Sequence, residues 1–185
     1  MVSDGLARHL RRHLGEVAGE WSHGPDGDEL PFTVVHFEPR AGTATEVYCT
    51  LGLSDYELGE DEHRIELLMI TPLALPEGSI PPILVEVGAM PIEIDDAPEL
   101  GDLFVDIAPL AEVSDMDTLY VGRPLYQPNG FAHYGNRFDG VDISWLIPVH
   151  ETEADFVRSE GWQAFEHLMW DLDVDPTDFA RSAWI

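Results

Sequence analysis

Six short apolar runs, each separated from the next by turn-forming residues, constrain the fold of this chain more than any other feature. Three lie in its first half: PFTVVHFEP (31–39), TEVYCTLGL (45–53) and HRIELLMIT (63–71). Three lie in its second half: DLFVDIAPL (102–110), TLYVGRPLY (118–126) and GVDISWLIPV (140–149). Most are rich in β-branched and aromatic residues, and Gly, Asp and Pro lie between them. The pattern predicts neighbouring strands that pair mostly in antiparallel fashion.

Helical patterns flank these runs at both ends of the chain. Leu6, Leu10, Leu14 and Val17 recur on one side of a first segment, which predicts an amphipathic N-terminal helix, followed by a loop over 22–30. Near the C-terminus, a helical stripe predicts a second packing face. It consists of Trp162, Phe165, Leu168, Met169 and Leu172.

Three further patterns indicate where the C-terminal helices begin and end. Thr152 with Asp155 resembles a capping box, and Gly161 predicts a break or kink. Asp175 followed by Pro176 is typical of an N-cap and first helical position, so we expect one more helix to begin there.

The segment PPILVEVGAMPIEI (81–94) fits two structures. Its paired prolines can begin a helix, which we favour, whereas its valine and isoleucine content also suits a strand. With helices at both ends of a series of strands, the fold class predicted is α+β: a mostly antiparallel (mixed) sheet with helices packed against it. The 185 residues contain no linker-like tract, so we expect a single domain over 1–185.

The charge balance excludes one class of partner and leaves two interpretations open. The chain carries 36 acidic residues against nine arginines and no lysine, for a formal charge of −27. A nucleic-acid-binding protein would present a basic face to phosphates, so we expect no nucleic-acid partner. The acidity either keeps the surface soluble as part of a proteome-wide bias or complements a basic protein partner.

Composition also indicates the compartment. The longest apolar runs fall far short of the roughly 20 residues that cross a bilayer, so we expect no membrane association. The N-terminal segment MVSDGLARHLRRHLGE lacks the apolar region of a signal peptide, and the single Cys49 cannot form an intramolecular disulfide. Both features predict a cytoplasmic protein.

Common catalytic signatures do not occur in the sequence. GxSxG, HExxH, CxxC and the P-loop pattern are all missing, so we predict no enzymatic activity and no cofactor. Cys49 has no basic neighbour in the local sequence that would lower its pKa, and it fits a buried apolar position. The segment His150-Glu151-x-Glu153 lies at a strand-to-helix junction, where carboxylates stabilise the helix N-terminus.

Two patterns resemble metal sites but lack the ligands to complete them. His9 and His13 have HxxxH spacing on the first helix, yet arginines flank them and no third ligand lies at a fixed spacing. DLDVDPTDFAR (171–181) begins like a calcium loop, but Pro176 stands where glycine is needed and Ser182 where glutamate is needed. We therefore predict no metal.

Aromatic residues in polar surroundings are the candidates for partner binding. The loop QPNGFAHYGNRFDG (127–140) carries several, which either fold back onto the core or contact a partner. Trp170 falls off the helical stripe, so it either packs under the C-terminal segment or stays exposed on a segment, 151–178, that has nine acids and one arginine. The candidates are Tyr126, Asn129, Phe131, His133, Tyr134 and Trp170.

Two segments within residues 31–181 carry a family resemblance. One is YCTLGLSDYE (48–57), and the other is 140–181, with Trp145, Pro148, Glu153, Gly161, Ala164, Phe165, Glu166, Asp175 and Pro176. The segment 140–181 is similar to the C-terminal signature of the suppressor-of-fused family, and 48–57 is similar to that family's strand ending in Gly-Leu-Ser. The order of these motifs over residues 31–181 resembles the family.

The resemblance implies a non-enzymatic α+β binding domain. Animal members hold a transcription factor by enclosing an extended peptide, and bacterial members are regarded as immunity proteins that neutralise toxins. Two hypotheses follow for this chain. The first is a protein that binds a basic toxin domain or an extended peptide, and the second is a small hydrolase or ligand-binding protein with a site built from His133, His150 and carboxylates.

Overall fold

An eight-stranded mixed sheet forms the centre of the molecule. A computed structural model describes residues 2–24, 26–128, 130–136 and 139–185. The helices are α1 (Val2–Leu14), α2 (Ile80–Ile94), α3 (Glu151–Glu160) and α4 (Trp162–Asp171). The strands are β1 (Val17–His23), β2 (Glu29–Phe37), β3 (Thr45–Leu51), β4 (Ile65–Pro72), β5 (Leu103–Phe104), β6 (Thr118–Gly122), β7 (His133–Tyr134) and β8 (Val141–Val149).

The strand order is β1-β2-β3-β4-β8-β6-β5, and β7 also pairs with β8. Only β4 and β8 run parallel, with Ile65 opposite Asp142 and Leu68 opposite Trp145, and all other strand pairs are antiparallel. The α+β fold with a mostly antiparallel mixed sheet is therefore confirmed.

Helices cover both faces of this sheet. We call the face covered by α1, α3 and α4 the α1 face, where Leu10, Trp145 and Phe165 are buried together. The α2 face is covered by α2 and by a 3-10 helix, Ala108–Glu112, and it buries Leu84 and Leu110. Since β4 and β8 lie in the middle of the sheet between both layers, seven of eight residues in β4 and eight of nine in β8 are buried.

Strand alternation distributes neighbouring residues between the two cores. Val35 and Phe37 of β2 pack on the α1 face, whereas Phe32 and Val34 pack on the α2 face. Cys49, as predicted, is a fully buried core residue. Within the described residues, no helix combines the length and the apolar composition needed to cross a membrane.

In the N-terminal half, the helix favoured for 81–94 is confirmed, and the bounds of the first helix and of the following loop differ from those predicted. Residues 81–94 form a helix, as favoured, and the strand alternative is wrong. The first helix buries Leu6, Leu10 and Leu14 but ends there, and Val17 begins β1. The left-handed conformation of Gly15 (φ 114°) ends the helix, so the apolar pattern passes from a helix into a strand without a change in composition. The predicted loop is correspondingly shorter than 22–30, because β1 reaches His23 and β2 begins at Glu29.

The second half departs from expectation in four details. Of the predicted strand 102–110, only Leu103–Phe104 is a strand. The N-cap of α3 is His150, whose backbone N–H donates to Glu153 at 3.0 Å, so the expected capping box at Thr152 is wrong by two residues. Gly161 does separate α3 from α4, but Leu172 at the end of the predicted stripe is 53% exposed.

The fourth detail concerns the expected helix at Asp175, which does not form. Asp175 Oδ1 instead accepts hydrogen bonds from the backbone N–H and the hydroxyl of Thr177, at 2.9 and 2.7 Å, closing a tight turn. Beyond this turn, Arg181 donates to both carboxylate oxygens of the buried Glu153 and to the carbonyl of Pro148. These bonds hold the C-terminal segment against the β8–α3 junction.

Gly88 provides a test of the packing between α2 and the sheet. A Cβ atom at this position would lie 2.5 Å from Cζ of the buried Phe32. Overpacking costs about 1–3 kcal/mol, and the gain in helix propensity from alanine is only about 1 kcal/mol. We expect Gly88→Ala to lower the free energy of unfolding in urea, and Phe32→Leu to restore part of the loss when combined with it. A more stable Gly88→Ala variant would contradict this packing.

Candidate protein-binding surfaces

An open groove lies where the end of α2 meets the edge strand β5, and we call it the α2–β5 groove. The helix ends at Asp95, a left-handed residue (φ 53°), and both Asp95 and Asp96 donate backbone N–H groups to the carbonyl of Pro91. The chain then turns back towards the sheet. Asp102 supports this turn by accepting the backbone N–H of Glu99 at 2.7 Å.

The return of the chain to the sheet is fixed by a close backbone contact. Gly101 donates its N–H to Val121 O, and Val121 donates to Asp102 O, both at 2.9 Å. A Cβ at Gly101 would lie 2.9 Å from the side chain of Trp162, and its φ of 100° also favours glycine. Glycine at this position lets β5 begin directly beneath Trp162.

The α2–β5 groove has a volume of about 380 Å³ and a mostly apolar lining. Ile94 lines the groove with 70% of its surface exposed, and Val105, which follows β5 and is not part of the lining, is 46% exposed. The lining consists of Met90, Pro91, Glu93, Ile94, Asp96, Ala97, Pro98, Asp102, Leu103 and Phe104. Exposed apolar side chains grouped along a concavity are a feature of binding surfaces.

β5 gives the groove an open backbone edge. Among the strands that the structure describes, β5 pairs with β6 alone, so its other side faces away from the sheet. An edge strand presents N–H and C=O groups that can pair with an extended segment of another chain. The groove thus combines apolar side chains with main-chain donors and acceptors.

The electrostatic character of this region is uniformly negative. Between Arg64 and Arg123 the sequence has twelve Asp and Glu residues and no Arg, Lys or His. This stretch includes all of α2 and β5. Glu93, Asp96 and Asp102 belong to the groove lining itself. A bound segment with positive charge would be favoured here, and a negatively charged one would be repelled.

The predicted partner-binding residues of the 127–140 loop lie in different environments. Phe131 is fully buried and packs beside His9 and His13, so in this structure it is a core anchor. Tyr134 is half-buried, and its hydroxyl lies against the backbone of Gly5 in α1. His133 is exposed and hydrogen-bonds to Asp142 at 2.7 Å. Asn129 lies outside the described residues.

Two predicted aromatic residues are largely exposed. Trp170 projects from α4 with 73% of its surface accessible. The alternative in which it packs under the C-terminal segment is therefore wrong. Tyr126 is 55% exposed, although its ring lies 5.5 Å from that of the buried Trp145. These two residues remain predicted partner contacts.

The two histidines of the hydrolase hypothesis are far apart. His133 pairs with Asp142 at the start of β8, whereas His150 directly follows the end of that strand. Eight residues of extended chain correspond to about 26 Å. His150 is also committed elsewhere, since its Nε2 lies 2.9 Å from the carbonyl oxygen of Arg181. The structure does not bring these groups together into one site.

His9 and His13 are adjacent on α1 with ring centroids 4.7 Å apart. His9 Nε2 lies 3.0 Å from the carbonyl oxygen of Phe131, which ties α1 to the loop before β7. Burial lowers the pKa of His13, and the neighbouring His9, Arg12 and Arg40 lower it further. Within the described part of the chain, no third His, Cys, Asp or Glu joins them in a cluster that could hold a metal.

Glu66 in β4 is a fully buried carboxylate. Its oxygens accept four hydrogen bonds, from the hydroxyls of Thr50 and Ser54 and from the backbone N–H groups of Gly52 and Ser54. Burial raises the pKa of Glu66, and these four donors oppose part of the rise. Because these four bonds fasten the end of β3 and the turn after it to β4, the arrangement is structural.

The α2–β5 groove was not among the sequence-based candidates. The signal that could have indicated it is PIEIDDAPELGDLFVD (91–106), in which apolar and acidic residues alternate after the predicted helix. Apolar residues at that spacing are equally consistent with a buried strand, which the pattern of 102–110 predicts. In the structure β5 has only two residues, and Ile94 and Val105 are exposed on either side of it.

Comparisons of sequence and of structure with known proteins both match this chain to the suppressor of fused family. The family model described as suppressor of fused protein (SUFU) matches residues 28–182. A SUFU homolog from Neisseria gonorrhoeae FA 1090 has the same fold, with a TM-score of 0.77, 21% sequence identity, and coverage of 99% of this chain and 96% of that one. No curated protein sequence matches the chain.

Two further solved structures share the fold at lower similarity. The Sufu-Fu complex aligns with a TM-score of 0.67 and 12% identity, over 98% of this chain and 90% of that one. Drosophila Suppressor of Fused aligns with a TM-score of 0.65 and 13% identity, over 98% of this chain. This chain spans 50% of the Drosophila protein.

The raised pKa of Glu66 predicts a specific pH dependence of stability. Above the pKa of an unfolded glutamate, the unfolded chain has lost this proton while the folded chain retains it more strongly. Glu66 therefore contributes its full stabilisation of the fold below the pKa of an unfolded glutamate, about 4.3. This stabilisation declines as the pH rises through the pKa of Glu66 in the folded chain. Glu66→Gln has no proton to lose.

The measurement is the difference in unfolding free energy between Glu66→Gln and the wild type from pH 5 to pH 8. We expect this difference to move in favour of the variant as the pH rises. Using a difference cancels the repulsion among the surface carboxylates, which both proteins share. A difference that does not change with pH would show that the pKa of Glu66 is not raised.

Proposed function

Because this chain belongs to the suppressor of fused family, we propose that it acts as a cytoplasmic protein-binding domain that neutralises a basic protein partner, with no bond made or broken. The partner we propose is a toxin domain, and the chain would be its immunity protein. The region that would hold an extended segment of that partner is the α2–β5 groove.

A single observation carries this proposal. The groove joins the edge strand β5 to a mostly apolar lining, in which Ile94 is 70% exposed. Main-chain pairing supplies affinity for an extended segment, and the pockets between side chains supply specificity. A groove of about 380 Å³ is large enough for two or three side chains of such a segment.

Charge selects the kind of partner. The stretch from Arg64 to Arg123 contains no intervening basic residue, and the whole chain carries a formal charge of −27. A second copy of this chain, or a nucleic acid, would be repelled by this surface. A basic protein would be attracted over long distances, which increases its association rate, a property that suits an inhibitor that must capture its target quickly.

The family relationship supports a role in binding rather than catalysis. The solved relatives include the Sufu-Fu complex, in which Sufu is bound to another protein, and a bacterial homolog of nearly the same length as this chain. The two histidines that could have formed a hydrolytic site lie at opposite ends of β8. The single buried Cys49 agrees with a reducing compartment.

Trp170 on α4 is proposed as a second contact, on the α1 face. It is 73% exposed, and the acidic residues around it on 151–178 would attract an arginine-bearing surface. Exposed tryptophans that become buried in an interface are among the side chains that contribute most to affinity.

The experiment begins with purification of the untagged protein from its native cell. We expect a basic polypeptide to copurify, to arrest growth when produced alone, and to be neutralised when this chain is produced with it. Copurification of an acidic protein, or a basic partner whose toxicity this chain does not relieve, would contradict the proposal.

Ile94→Ser tests whether the groove carries the interaction. Burying an isoleucine contributes about 1.5–3 kcal/mol, so we expect affinity for the copurified partner to fall at least tenfold by calorimetry. The matched control is Leu73→Ser, since Leu73 is also exposed (45%) but lies outside the groove. Equal affinities of the two variants would remove the groove from the proposal.

Trp170→Ala tests the second contact. We expect a loss of about 2 kcal/mol in binding free energy with no change in unfolding free energy, because the side chain is exposed in the free protein. His167→Ala is the control on the same helix, where the His167 side chain is 79% exposed. Unchanged affinity of Trp170→Ala would exclude α4 from the interface and leave the groove as the contact.

A further inference from the structure

A separate cleft of about 540 Å³ lies between the C-terminal turn and the β2–β3 hairpin, and we call it the C-terminal cleft. Its floor is apolar and includes Leu14, Val47 and Ile70, which belong to the core of the α1 face or pack against it. The α2–β5 groove adjoins the other core, on the α2 face. The two concavities therefore lie on different sides of the sheet.

Carboxylates outnumber cations around this cleft. Glu38, Glu46, Asp173 and Asp175 line it, and Arg40 is the one cationic side chain among the described lining residues. Glu46 is already engaged by His36 at 2.7 Å, and Asp175 by Thr177. Asp173 is exposed at the rim, on a residue in the left-handed conformation (φ 53°).

An aromatic ring forms one side of the cleft. Tyr126 lines it with 55% of its surface exposed, and its ring is supported from behind by Trp145, whose centroid lies 5.5 Å away. Burial raises the pKa of Tyr126, and the charges of Asp175 and Asp173 raise it further. Both carboxylates line the same cleft as Tyr126.

Gln127, the next residue, supplies an acceptor that is not used. Its Oε1 is buried and has no hydrogen-bond partner among the residues that the structure describes, while Gln127 itself lines the cleft. Buried polar atoms are almost always hydrogen-bonded in folded proteins. A donor that reached this oxygen from the cleft would satisfy it.

We propose that the C-terminal cleft binds the guanidinium group of an arginine presented by another polypeptide. A guanidinium is planar, stacks on an aromatic face and carries several N–H donors in one plane. Stacking on Tyr126 would direct those donors towards Gln127 Oε1 and the Asp173 carboxylate. The aliphatic stem of the arginine and an apolar neighbour would cover the floor formed by Leu14 and Val47.

An ammonium group matches this site less well than a guanidinium. A lysine presents a compact, strongly hydrated charge that does not stack through a planar group. The site should therefore prefer arginine to lysine, and it should discriminate strongly against citrulline, which has the same shape without the charge. Because the floor is apolar, a peptide should bind more tightly than a small guanidinium compound.

The test is a titration of the isotope-labelled full chain followed by NMR. The probe is the tripeptide N-acetyl-Leu-Arg-Leu-amide, compared with the same tripeptide carrying lysine or citrulline and with agmatine. We expect saturable shifts at the amides of Tyr126, Gln127 and Val174, with affinity in the order arginine, lysine, citrulline. Because the citrulline peptide lacks the charged, bidentate contacts, its affinity should be about tenfold or more lower than that of the arginine peptide.

Substitutions separate a local contact from the general effect of charge. Asp173→Asn should weaken binding of the arginine tripeptide several-fold. Asp171→Asn removes the same charge two residues away and outside the cleft lining, and it should have little effect on binding. Gln127→Leu should weaken binding as well. If Gln127→Leu fails to fold, Asp173→Asn carries the test, since Asp173 is exposed.

Several outcomes would overturn the inference. Two concern the ligands: the citrulline peptide binds as tightly as the arginine peptide, or agmatine binds more tightly than the arginine tripeptide. Two concern the site: Asp173→Asn and Asp171→Asn lose the same affinity, or the NMR shifts are confined to the α2–β5 groove. The variant Ile94→Ser should still bind the tripeptide, because Ile94 is not in this cleft. The groove and the cleft can therefore fail independently of each other.

Discussion

The parallel pairing of β4 with β8 is the constraint from which the rest of the structure follows. Two strands can run parallel and adjacent only if the chain between them crosses back over the sheet, and here that crossover includes α2, β5, β6 and β7. Covering both faces of β4 and β8 requires helices on each side. The α2–β5 groove lies on this crossover, where α2 ends and the chain returns to the far edge of the sheet.

Three buried carboxylates of this acidic protein are each held by hydrogen bonds. Glu153 is neutralised by Arg181, Glu166 accepts hydrogen bonds from Tyr120 and Arg123, and Glu66 accepts four donors without any cation. Buried ionised groups that lack such partners would be strongly destabilising. Arg181 is itself largely buried in this arrangement, whereas Arg123 remains half-exposed.

Large parts of the fold could be predicted because they depend on local periodicity. The α1 stripe of Leu6, Leu10 and Leu14 and the alternation in β2 each follow from the repeat of one element. The errors occurred where local patterns continue across a boundary or imitate one another. Val17 fits the helical stripe but lies in β1. Asp175-Pro176 fits a helix start but forms a turn, in which Asp175 Oδ1 accepts both the N–H and the hydroxyl of Thr177.

The sequence by itself determined the fold class, the family resemblance and the acidic charge balance, because these depend on composition and on the order of short segments. Which aromatic residues are exposed was decided only by the tertiary structure. Phe131 and Tyr126 lie in the same polar region of the sequence, yet one is buried beside α1 and the other lines a cleft. Exposure depends on contacts between residues distant in the chain, such as His9 with Phe131 and Trp162 with Gly101, and no local pattern encodes them.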